Sequence, residues 1–256
     1  MQNKFFPRTV FQSCIFTLVY ILVAGAFSLI LANAVCNNKI LMHIYFAIGS
    51  AIVILLTHWK NRSLKEQIKY DFRMASPSFL ILLLIVPIIF HLTLFPVFRG
   101  LIIDEYTPYS MTSLDYIIGF VILAPVFEEI IFRNIVLRGL LTRYSGHKSI
   151  AISSVLFALV HIDIANIYWG KIITALLLGL FLGWLFYKTG RIGLCILLHS
   201  SSNLMVIASF SLKNYFHTII PNDFFSISIY SLMMLFATIS IVYLLLYINK
   251  KLVVRQ

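Results

Sequence analysis

Hydrophobic residues in this chain come in long unbroken runs separated by short polar stretches, with little of the alternation that marks a half-buried strand. Eight such runs stand at 10–34, 40–57, 77–98, 114–137, 149–164, 170–187, 191–210 and 225–248. Most approach the ~20 residues that a helix needs to cross the hydrocarbon of a bilayer. The pattern predicts an all-α membrane protein, a bundle of about eight transmembrane helices forming one polytopic domain over residues 1–256. No internal repeat, low-complexity tract or appended soluble domain interrupts it. The first run follows Lys4 and Arg8, and Ala32-Asn33-Ala34 looks like a signal-peptidase site. Its apolar core is well beyond the about 7–15 residues of a signal peptide, so an uncleaved first span is expected.

Composition narrows the class. Apolar residues make up 61% of the chain and charged ones 11%, against about 25% charged in an ordinary soluble domain. Too few polar residues remain to cover a soluble surface, which excludes a soluble enzyme, a disordered chain and a disulfide-stapled secreted module. The net charge of +11 invites a nucleic-acid reading. However, the basic residues fall in short clusters between apolar runs and line no face of a soluble unit. They mark the cytoplasmic side of a multi-pass protein instead, with Lys60, Arg62, Arg73, Arg138, Arg143, Lys148, Lys188, Arg191 and Lys250 all on one side. Both termini are then cytoplasmic, and the expected partner is the lipid bilayer of a cell membrane.

Three smaller features add little. Cys14, Cys36 and Cys195 are odd in number and far apart, so they imply packing and no disulfide framework. In the segment 59–76, Leu64, Ile68 and Phe72 recur at helical spacing between basic residues. A helix lying on an anionic leaflet and an ordinary solvated loop fit it equally. Gly179 and Gly183 form a GxxxG, which close helix packing explains.

Ionisable residues inside the apolar runs carry more information. A charge at the centre of a span costs about 2.5–3.5 kcal/mol on insertion scales, yet Glu128 and Glu129 stand side by side in the fourth run. Glu129 and Arg133 are four apart with the acid first, the preferred order for a helical ion pair. Glu128 lies about 100° around the helix and has no such local partner. Pro125 removes a backbone donor just before the pair and is expected to kink the helix. The fifth run places Phe157 and His161 on one helix face, and the seventh does the same for His199 and Asn203. At 1.5 Å per residue, Glu128 and His199 lie roughly 12 Å from the cytoplasmic boundary and His161 roughly 20 Å, so depth groups them only in part.

A chemistry exists for such a group. A glutamate and a histidine in an apolar site can take a proton from water, which then attacks a carbonyl carbon. A second histidine and an asparagine amide can donate hydrogen bonds to the developing oxyanion. The same residues could ligate zinc, although HExxH is absent. So are GxSG and GxGD, the marks of serine and aspartyl intramembrane proteases.

Glu128-Glu129-xxx-Arg133, Phe157-xxx-His161 and His199-xxx-Asn203, in that order on successive runs, resemble the CAAX protease and bacteriocin-processing (CPBP, or Abi) family over about 115–210. The resemblance implies an eight-helix membrane bundle around a cavity open to the cytosol. It implies that Glu128 is the base together with His161, that His199 and Asn203 form the oxyanion site, and that Glu129, Arg133 and Phe157 stabilise the site. No cofactor and no metal are implied. The expected activity is an intramembrane glutamic-type endopeptidase acting on a peptide or membrane-protein substrate. A short hydrophobic or membrane-tethered peptide is favoured over a prenylated one, because the Ile-, Asn- and Lys-rich composition looks bacterial. Peptide or bacteriocin processing and self-immunity are the associated roles. Two alternatives stay open: a non-catalytic membrane partner, such as an immunity or sensor-regulating protein, and a proton-coupled transporter using Glu128.

Overall fold

A computed structural model describes residues 5–34, 39–62, 70–73, 76–102, 113–162, 167, 169–219 and 224–251. Cys36 and residues 63–69 of the basic segment therefore lie outside the described residues. Among those described there are eight helices and no strand: α1 (Val10–Ala34), α2 (Lys39–Lys60), α3 (Pro77–Ile102), α4, α5 (Gly146–Leu159), α6 (Trp169–Thr189), α7 (Ile192–Ile219) and α8 (Phe224–Lys251). Helix α4 runs on from Leu114 to Leu141, with α-helical turns at Leu114–Ile117, Ala124–Glu129 and Arg138–Leu141. Between them stand π-helical segments at Ile118–Leu123 and Ile130–Leu137. The eight apolar runs therefore become eight helices, whose ends differ from the runs by up to nine residues.

Local signals explain the boundaries. Thr9 caps α1 by accepting from the Gln12 amide at 3.1 Å, and the Gln12 side chain accepts in turn from the Arg8 amide at 3.1 Å. Pro77 opens α3, where its missing N–H costs nothing. Gly190 closes α6 with φ of 65°, and its amide donates to the Phe186 carbonyl at 2.7 Å.

Helix α4 is the shared wall between two apolar cores. On one side Phe132 and Ile135 pack with Phe16, Tyr20, Val53 and Phe157 from α1, α2 and α5. On the other side Leu137 packs with Leu83, Leu182, Leu194 and Ile248 from α3, α6, α7 and α8. Residues 131 to 137 are all buried, so this stretch is enclosed all the way round. Gly179 and Gly183 let α6 close on α5: a methyl group at either would stand 3.1 Å from Ser154 Cβ or 3.2 Å from Ile150 Cγ2. The GxxxG serves packing, as its spacing suggested. Cys195 is buried in the second core, as a packing residue would be, whereas Cys14 is exposed.

The segment before α1 packs against the end of α2, where Lys60 stands over the Phe6 ring at 4.9 Å. Asn61 clasps the backbone of Phe6 twice, accepting from its amide at 2.9 Å and donating to its carbonyl at 2.7 Å. Residues 70–73 are not helical. Asp71 pairs with Arg191 in a single parallel bridge, and the Gly193 amide donates to the Asp71 carbonyl at 3.3 Å. This part of the basic segment is thus a strap across the start of α7. Two described stretches, Met42–Lys60 and Trp169–Thr189, are long and apolar enough to cross a membrane; shorter apolar helical stretches make up the rest.

Candidate active site

The irregular winding of α4 sets the site. The amide of Ala124 donates to the Gly119 carbonyl five residues back, the π-helical pattern. Pro125 follows and has no N–H, so it cannot donate to the next carbonyl in that pattern, that of Phe120. Asn203 of α7 fills the gap: its Nδ2 donates to the Phe120 carbonyl at 2.8 Å. A carbonyl can only accept, so this contact also fixes which end of the Asn203 amide is nitrogen.

The adjacent glutamates sit in different surroundings. Glu129 is fully buried. Its Oε2 accepts from Arg133 Nε at 2.8 Å, and Arg133 is fully buried too. The expected ion pair therefore forms. His199 joins it, with Nδ1 donating to Glu129 Oε1 at 3.0 Å. The chain gives little sign of that third contact, because it spans 70 residues.

Glu128 keeps 13% of its side chain exposed and faces two imidazoles. His161 Nε2 is 3.8 Å from its Oε2, and His199 Nε2 is 3.9 Å from the same oxygen. Both rings have a fixed orientation. His161 Nδ1 donates to the Phe157 carbonyl at 2.8 Å, and His199 Nδ1 donates to Glu129. In the neutral rings both Nε2 atoms are consequently acceptors turned toward a carboxylate.

His161 is not on the face of α5. The helix ends at Leu159, and His161 lies in the turn beyond, its amide donating to the Ala158 carbonyl at 3.1 Å. Its ring nevertheless folds back over Phe157, with centroids 4.7 Å apart. Phe157 is fully buried. His199 meets its ring edge-on at 5.6 Å and the Arg133 guanidinium stands over it at 5.0 Å. One aromatic ring thus supports both histidines and the arginine. The depth difference read along the chain does not keep His161 from Glu128.

Some neighbours were not singled out from the chain. Ser153 of α5 donates to the Phe132 carbonyl at 2.9 Å, tying α5 to α4 beside the site. Tyr20 packs edge-on against Phe132 at 6.1 Å and is within electrostatic reach of Glu128. His91 of α3 and Ser202 of α7 share a buried hydrogen bond of 2.8 Å, next to Asn203. A buried serine or histidine in an apolar run was the available signal, but only the fold supplies its partner. Among the described residues, no three of His, Cys, Asp and Glu form a group that could hold a metal ion.

Residues 110–205 match the model of the type II CAAX prenyl endopeptidase Rce1-like family. This is a family of membrane-embedded proteases. The match spans all three motifs and lies within the same CAAX protease family that they resemble. No curated protein matches the chain.

Proposed function

We propose that this chain is an intramembrane endopeptidase in which Glu128 and His161 activate water, with its eight helices crossing a cell membrane and its basic end in the cytoplasm. The observation that carries the reading is the convergence of Glu128, His161 and His199, one residue from each motif, within 3.8 and 3.9 Å. Support for the membrane setting comes from large apolar side chains left exposed around the bundle, among them Leu55, Ile81, Phe236 and Leu246.

In this reading a water donates to Glu128 Oε2 and to His161 Nε2. Its oxygen attacks the carbonyl carbon of a peptide bond, and its proton passes to Glu128. The carbonyl oxygen becomes an oxyanion beside Asn203, whose second Nδ2 hydrogen is not used on Phe120, and beside the protonated form of His199. The carbon–nitrogen bond then breaks, and the leaving amine takes the proton from Glu128. Glu129 and Arg133 hold His199 in place. The substrate class is a short hydrophobic or membrane-tethered peptide, consistent with peptide processing or self-immunity in a bacterium.

The test compares peptides released by cells carrying the natural protein, Glu128→Gln, or no protein, at matched membrane abundance. Loss of one set of peptides in both the variant and the null supports catalysis and identifies the substrate. A variant that matches the natural protein in peptides and phenotype would favour a non-catalytic membrane partner. Cleavage that stops with a chelator and returns with zinc would overturn this metal-free chemistry.

A further inference from the structure

Resting on the peptidase reading, we infer that Pro125 is a positioning residue for Asn203, acting through the backbone of α4. The usual role of a helical proline is to bend. Here its missing N–H has a more specific effect. In the π-helical pattern set by Ala124 donating to Gly119, residue 125 is the one whose amide would satisfy the Phe120 carbonyl. Proline leaves that carbonyl to Asn203, which donates to it at 2.8 Å from α7.

The arrangement does two things for the site. It anchors α7 to α4 one helical turn beyond His199, so both polar residues of the His199-xxx-Asn203 motif are tied to α4, His199 to Glu129 and Asn203 to Phe120. It also orients the amide. With one Nδ2 hydrogen committed to a carbonyl, the amide plane is fixed and the second hydrogen has a defined direction. A donor aimed before the charge develops is what oxyanion stabilisation requires. Asn203 retains 8% exposure and is otherwise enclosed, so water can do little to hold it in that orientation. The device joins residues 78 apart in the chain, and only the proline's lack of a donor connects them.

Substituting Pro125 by alanine restores an N–H that competes with Asn203 for the Phe120 carbonyl and so loosens the hold on the Asn203 amide. Two measurements test this. The first needs no substrate: hydrogen exchange and the side-chain 15N resonance of Asn203, assigned with Asn203→Ala, in purified protein. In Pro125→Ala the Asn203 amide should lose protection while a new protected backbone amide appears at position 125. An Asn203 amide unchanged in Pro125→Ala would overturn the inference.

The second measurement is kinetic, on the peptide whose release depends on Glu128. Asn203→Ala should lower kcat by about 10²-fold, the size expected for one oxyanion donor. Pro125→Ala should lose a comparable factor with KM little changed, and the double variant should be no worse than either. A melting temperature that holds or rises in Pro125→Ala would separate this from loss of the fold. Losses that multiply in the double variant would overturn the inference, as would normal kcat in Pro125→Ala. Pro125→Gly serves as the second variant, since it restores the same N–H; failure of both chains to fold would show that the proline supports the helix instead. No cleavage by the natural protein would sink the peptidase reading itself, and the exchange measurement would still decide the hydrogen bond.

Discussion

Glu128 and Glu129 are the same side chain at neighbouring positions on one helix, yet they have different surroundings. Glu129 is fully buried and shared between Arg133 and His199 at 2.8 and 3.0 Å, so its oxygens are engaged. Glu128 is partly exposed and meets two imidazole nitrogens at 3.8 and 3.9 Å, too far for hydrogen bonds. Burying a charge is costly unless it is paired and hydrogen-bonded, and Glu129 meets that condition. Glu128 is held near both imidazoles without a hydrogen bond to either. The contrast teaches that one acid can be locked into a buried, fully paired frame while its neighbour is left without a hydrogen-bonded partner, with His199 facing both.

The sharpest way to break the comparison is to remove the charge from each glutamate in turn. Glu129→Gln leaves Arg133 buried without its counter-charge and should cost about 3–5 kcal/mol of stability, read by denaturant titration in micelles. Glu128→Gln should leave stability nearly unchanged while abolishing cleavage. An equal stability loss in both variants would erase the distinction. Phe157→Leu comes next. It should cost about 1–3 kcal/mol, less than full truncation of a buried aromatic, and should lower kcat as well, because the ring carries His161 and His199. A stability loss with unchanged kcat would show that the ring only fills space.

Smaller effects sharpen the contrast. Ser153→Ala removes the buried hydrogen bond to the Phe132 carbonyl and should cost about 1 kcal/mol, affecting both glutamates alike. The smallest effect belongs to Asp71, on the strap across the start of α7. The hydrogen bond from Arg73 holds its carboxyl below the usual carboxylate range. A lowered value contributes stability above the unfolded value near 3.9, and that contribution is lost as pH falls below it. Asp71→Asn should thus remove a slight acid-side dependence of the melting temperature and leave cleavage at neutral pH unaltered. A change in kcat there would mean that the strap reaches the site.

The helices were legible because a long apolar run imposes its own periodicity, and the Glu129–Arg133 pair because four residues make one helical turn. The contact between His199 and Glu129 was not legible: nothing local in residues 70 apart specifies it. The end of α5 escaped as well, since Val160 and Ile162 continue the apolar pattern past Leu159. The π-helical segments of α4 also left no mark, for they alter backbone hydrogen bonding without altering composition. Pro125 was visible as a missing donor, but the carbonyl it frees depends on a winding that only the fold reveals. Likewise, the bridge from Asp71 to Arg191 joins residues 120 apart, so helical spacing at Phe72 was a poor guide to residues 70–73.

The position of α4 between the two apolar cores has a mechanical consequence. Neither half of the bundle can loosen while keeping its packing, because both lean on the same seven enclosed residues from Ile131 to Leu137. Thermal melting should therefore be a single event, with cleavage and helix content disappearing together. A cut in the turn between α4 and α5 would separate neither core cleanly, and the two fragments would have to be produced together to regain a working enzyme.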